Sequence, residues 1–173
     1  MGLESIINFF GSNWDKLVHY LNDDFHNTTS DEKMRFASEV RTISAVASAT
    51  VAVQPIPFAD IWIITPIQYA MVRAIGNIYG YKISESSIGE VLAVIGGGVT
   101  GQQICLSLYK LGMPGLGGLF GASFVFAWTH GIGQAAEAYF RSGMTKTREE
   151  LDKIRKQGEA RAREDWDRRR GNL

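Results

Sequence analysis

Cysteine, histidine and proline are all scarce in this chain of 173 residues. Cys105 is its one cysteine, so no internal disulfide exists and the thiol reads as a small packing residue. The three histidines, His19, His26 and His130, have no metal-ligand spacing, and no nucleophile motif accompanies them. These shortages leave no catalytic residues, no cofactor-binding residues and no metal ligands to nominate, and an enzyme is not expected. The glycine clusters at 96–98 and 115–118 lack the preceding strand and following Lys-Ser/Thr of a nucleotide loop.

Charge is missing in a different way, by region. From Thr42 to Phe140 the only charged residues are Asp60, Arg73, Lys82, Glu85, Glu90, Lys110 and Glu137. Residues 141–173, by contrast, hold 11 basic and 7 acidic side chains. The net charge of zero gives no reason to expect nucleic acid as a partner. Near the N-terminus, Glu4 stands where a secretory signal carries basic residues, so none is expected.

What is plentiful is uncharged sequence rich in glycine. Val91–Tyr109 and Leu111–Ala136 contain no charge, and Gly89–Gly133 hold 12 of the 19 glycines. Each run is long enough for the roughly 20 helical residues that cross a bilayer core. Ala93, Gly97, Gly101 and Cys105 recur every four residues, as do Gly117 and Gly121, the small-residue spacing that lets membrane helices approach closely. Twelve glycines would weaken a free-standing helical pair in water, at about 0.8–1 kcal/mol each relative to Ala. A helical hairpin inserted in a membrane is therefore the expectation for 87–140. His130, Gln134 and Glu137 within it read as hydrogen-bonded helix contacts rather than an ion path. Lys82 precedes the hairpin and Arg141, Lys146 and Arg148 follow it, which places both termini in the cytoplasm of a bacterial inner-membrane protein.

The flanking chain is read as all-α. Leu3, Ile6, Ile7, Phe10, Trp14, Leu17, Val18, Leu21 and Phe25 form a stripe at helical spacing, an amphipathic helix within residues 1–29. Its polar face is acidic, which favours docking on protein over lying on lipid. Thr29 with Glu32 is a capping box opening a second helix, Ser30 to about Val53, which Pro55 and Pro57 must break. An apolar helix from Phe58 to Tyr79 is kinked or divided at Pro66, with Thr65 and Gln68 as a further capping box. Asp60 is expected to accept backbone hydrogen bonds at the start of this helix, and Gly80 to end it in the left-handed conformation. Ser87 with Glu90 opens the hairpin, and Thr147 with Glu150 opens a last helix in 141–173. That helix has few large apolar residues and is expected to be solvated or frayed, held by pairs such as Glu149–Lys153, Asp152–Lys156 and Glu159–Arg163.

Pro55-Ile56-Pro57-Phe58-Ala59-Asp60, then Gln68 and Met71, then Tyr79-Gly80-Tyr81 and the glycine-rich hairpin resemble the YcjF-like domain of unknown function associated with bacterial Era-like GTPases, over about residues 40–140. The resemblance implies an α-helical, membrane-associated module, here 30–140, fused to or encoded beside a GTPase in many bacteria; this chain departs in having no nucleotide-binding domain of its own, so a GTPase partner is expected to be encoded separately. That family has no established activity to carry over. The reading is thus a non-enzymatic membrane module or GTPase adaptor that forms homo-oligomers through Gly97, Gly101, Gly117 and Gly121. The alternatives are a soluble self-associating helical domain and a small oligomeric channel around Gln102, Gln103 and His130.

Overall fold

The computed structural model describes residues 3–53, 63–95 and 117–170. The described residues form six helices and no strand: α1 (Leu3–Asn22), α2 (Ser30–Val53), α3 (Thr65–Ile78), α4 (Ile88–Ile95), α5 (Gly117–Arg141) and α6 (Arg148–Arg170). Pro55, Pro57, Asp60, Gly97 and Gly101 lie outside the described residues.

Two of the expected capping boxes form. The Thr29 amide and hydroxyl both donate to Glu32 Oε2, at 3.0 and 2.7 Å, while the Glu32 amide donates to Thr29 Oγ1. Thr147 and Glu150 repeat this at α6, with Thr147 N donating to Glu150 Oε2 at 2.8 Å. Each box satisfies amides that the first helical turn leaves open. The pair drawn between Thr65 and Gln68 differs. Gln68 is buried and donates from Nε2 to Thr129 Oγ1 at 3.0 Å, so it links α3 to α5 instead of reaching back to its own helix start. Pro66 occupies the first turn of α3. The far end of α3 closes through Gly80, at φ +90°.

The centre of the molecule is α5. It lies along α2 on one side and α6 on the other, and α3 packs against it as well. The contacts give the directions: Met34 and Arg41 of α2 meet Arg141 and Glu137, so α2 runs antiparallel to α5. Trp166 and Gly158 of α6 meet Phe126 and Gln134, also antiparallel. The core contains Val40, Met71, Val72, Ile75, Ile78, Ile132 and Phe140, all at most 1% exposed. A smaller apolar cluster of Val51, Ile64, Ile67 and Val125 closes one end of the bundle, where α2 finishes and α3 and α5 begin.

The helical stripe of α1 needs correction. Leu17, Tyr20 and Phe25 are buried, whereas Trp14 is 45% and Val18 38% exposed. Tyr20 takes the inward place because its ring packs on Phe25 and Phe36 while its hydroxyl donates to Glu39 Oε2 at 2.9 Å. An amphipathic tip served by a buried-edge acceptor outcompetes an aliphatic at the same helix face. Asn77 of α3 then donates to the carbonyls of Tyr20 and Asp23 at 3.0 and 2.8 Å, capping the C-terminal end of α1 from another helix.

The solvated or frayed C-terminal helix is also corrected. Leu151 is fully buried and Ala162 is 3% exposed, because α6 approaches α5 with glycine on both sides of the contact. A Cβ on Gly131 would lie 2.7 Å from the Arg155 carbonyl oxygen, and one on Gly158 would lie 2.5 Å from Gln134 Oε1. Backbones this close bury area without large side chains, so a count of large apolar residues undervalues the helix. Of the three ion pairs named for it, Asp152–Lys156 forms at 2.7 Å.

Candidate functional site

The polar groups of the interior gather along α5, where four of its residues meet three neighbouring helices. Glu137 is 8% exposed and forms an ion pair with Arg41 of α2, both side chains nearly out of water. Tyr79 also donates its hydroxyl to Glu137 Oε1 at 3.3 Å. Burial lowers the Arg41 pKa from its ordinary value and raises that of Tyr79. Gly133, one turn before Glu137, makes room for the aliphatic stem of Arg41: a Cβ there would lie 2.5 Å from Cγ, 2.9 Å from Cδ and 3.0 Å from Met71 Sδ. The glycine and the ion pair are one device, in which the missing side chain lets a long cation lie flat against the helix that carries its counter-charge.

A second cluster lies on the α6 side. Arg155 is 6% exposed, reaches Asp152 Oδ1 at 2.5 Å, pairs with Glu159, and stacks 4.6 Å over the Trp128 ring. Cation–π stacking and two carboxylates replace the water this guanidinium gives up. Burial raises the Glu159 pKa, with the Arg155 charge opposing the shift.

Between these clusters α2 and α6 stand apart on either side of α5, with little direct contact, and leave a cavity of about 310 Å³. Its walls include Ser38 and Thr42 of α2, Phe126 and His130 of α5, and Asp165 and Trp166 of α6. His130 stacks on Phe126, with centroids 6.2 Å apart, and Trp166 tilts against the same ring at 5.0 Å. Burial, with help from the Arg41 charge, drives the His130 pKa down to about 4. His130 is therefore neutral at physiological pH, and its Nδ1 and the Trp166 Nε1 are buried without partners among the described residues.

Of the residues singled out by sequence, Gly80 takes its left-handed turn and Gly117 opens α5. Gly121 is buried in α5, yet a Cβ on it would meet nothing within 4 Å among the described residues. Among the described residues, close approaches fall at Gly76, Gly131, Gly133 and Gly158, which sequence reasoning did not select. A signal was present: Arg41 is the last charge before the charge-poor block and Glu137 the last acid inside it, with Gly133 one turn earlier. No cluster of three or more His, Cys, Asp or Glu that would hold a metal occurs among the described residues. None of the described helices is long and apolar enough to cross a membrane.

Comparison with known proteins adds a family and a relative. The family model described as "Domain of unknown function (DUF697)" matches residues 25–164, which takes in α2 to α5 and most of α6. Magnetosome membrane protein 22 of Magnetospirillum gryphiswaldense is 29% identical over 106 residues, covering 57% of this chain and 54% of that protein. The chain thus spans about half the length of this curated relative. No solved structure matches the chain.

Proposed function

The chain belongs to the DUF697 family, and on that premise we propose that it is a non-enzymatic, membrane-associated helical module serving as the adaptor of a GTPase. Membrane association is supported by the name of its relative, a magnetosome membrane protein. The observation that carries the reading is the apolar end of the bundle, where Val51, Ile64 and Val125 meet. In sequence, residues 96–116, with Lys110 as their one charge, precede α5, which begins at this end, and 54–62, with Asp60 as their one charge, follow α2, which finishes there. Charge-poor sequence next to such helix ends suits contact with a bilayer.

The same geometry limits how deep that contact runs. From Ala122 onward α5 is enclosed by α2, α3 and α6 and carries the buried Glu137–Arg41 pair, a poor match for lipid. We place the membrane at the apolar pole, short of His130, and do not read α5 as a span. The GTPase half of the proposal rests on the sequence resemblance of residues 55–60, 68, 71 and 79–81. Assignment to a bacterial inner membrane, with both termini on the cytoplasmic side, and homo-oligomer formation complete it.

Flotation of the full chain with phosphatidylcholine–phosphatidylglycerol vesicles tests the first half. The chain is expected to rise with the vesicles, and Ile104→Asp to stay behind. Wild-type protein remaining at the bottom of the gradient would leave a soluble self-associating domain as the better reading. A pull-down in mild detergent, with extract loaded with GTP or GDP, tests the second half. Capture of a GTPase in neither nucleotide state removes the adaptor role and leaves membrane association standing.

A further inference from the structure

We propose that the cavity between α2 and α6 is a binding site for a small organic cation, an ammonium group carried on an aromatic or compact aliphatic body. Its volume of about 310 Å³ lies at the lower end of ligand-sized cavities, roughly 300–1,000 Å³. Each wall is a helical stripe: positions 38, 42 and 46 of α2, 126 and 130 of α5, and 162 and 166 of α6 all recur at four-residue spacing. The site is thus built by three separate helices held by the core and not by a surface loop.

The lining chemistry selects the charge of the ligand. Phe126 and Trp166 present two aromatic rings, the attractive surface for a cation. Among the described residues Asp165 supplies the one charged group, and no Lys or Arg lines the cavity. An anion would meet a carboxylate and no counter-charge. Val46 and Ala162 give the body of the ligand an apolar floor, and the Ser38 and Thr42 side chains add hydroxyls. His130 is neutral, so it does not repel the cation; the Arg41 charge behind it is engaged by Glu137. Asp165 is paired with Arg168 at 3.3 Å, but both side chains are well exposed, at 58% and 71%, and such pairs are readily exchanged for a better-desolvated partner.

The test is titration of the ¹⁵N-labelled full chain with benzyltrimethylammonium, in an uncharged maltoside detergent and 0.15 M salt. The indole Nε1–H resonance of Trp166, assigned by its loss in Trp166→Phe, is followed. A saturable shift confined to Trp166 and its neighbours is expected. Asp165→Asn should weaken binding about three- to fivefold, the upper scale for one exposed charge pair. Asp167→Asn, the same charge change on an exposed residue outside the cavity, should leave it unaltered. Phenylacetate, an anion on a similar body, should produce no shift at the same concentrations. The proposal is overturned by the absence of a saturable shift, by an equal response to phenylacetate, or by unchanged affinity in Asp165→Asn. Because the Asp165 side chain is exposed, that variant remains folded.

Discussion

Replacing Gly133 by alanine should destabilise this protein, although alanine is the better helix former. Position 133 is inside α5, where the exchange gains about 0.8–1 kcal/mol of intrinsic propensity. Against that, the new Cβ would sit 2.5 and 2.9 Å from Arg41 Cγ and Cδ and 3.0 Å from Met71 Sδ. An arginine on the surface would swing away. Arg41 is held by Glu137 at its guanidinium end, its side chain is 12% exposed, and Met71 has no exposed surface into which to retreat. Overpacking of this kind costs about 1–3 kcal/mol, so after the propensity gain the net loss is up to about 2 kcal/mol. For a chain of this length it lowers Tm by up to roughly 8 °C. Gly11→Ala is the control: nothing among the described residues lies within 4 Å of a Cβ there, and the position is exposed in α1. It should raise Tm by about 1–4 °C. Thermal unfolding of both variants beside wild type decides the matter. Stabilisation of both would mean that the contact of α5 with Arg41 yields freely, and the account of Gly133 and the ion pair as one device would fail.

Removing one partner of the buried pair, as in Glu137→Gln, leaves Arg41 charged and unpaired and should cost about 3–5 kcal/mol in urea unfolding. The double variant Arg41→Met/Glu137→Leu should lose much less, and an equal loss would show that packing rather than charge dominates. His130 has its folded pKa depressed to about 4, against about 6.5 unfolded, so the unfolded chain binds more protons in that interval. Its contribution, about 3 kcal/mol, is fully present above pH 6.5 and is lost as pH falls toward 4. In His130→Gln that part of the acid dependence should vanish, and an unchanged stability profile between pH 4 and 6.5 would contradict the burial of a neutral imidazole. Thr29→Ala should cost about 1 kcal/mol by breaking the reciprocal cap of α2, measured by the same unfolding.

Local signals in the sequence determined the helical class and several helix ends. Thr29–Glu32 and Thr147–Glu150 are short-range codes in which residues three apart satisfy each other, so no distant part of the chain has to be known. Gly80 is of the same kind, a backbone turn that one residue type enters without strain. Tertiary structure alone decided the rest. Periodicity gave α1 an apolar stripe but could not tell that Tyr20 would find Glu39 on α2, turning Trp14 and Val18 outward. Composition made α6 a solvated helix, yet Gly131 and Gly158 bring two backbones together and bury it. Arg41 and Glu137 stand 96 positions apart, and Gly133 acquires its meaning only when that arginine lies across it. Close packing and buried charge depend on which helices become neighbours, and that is fixed by the whole core at once rather than by any stretch of sequence.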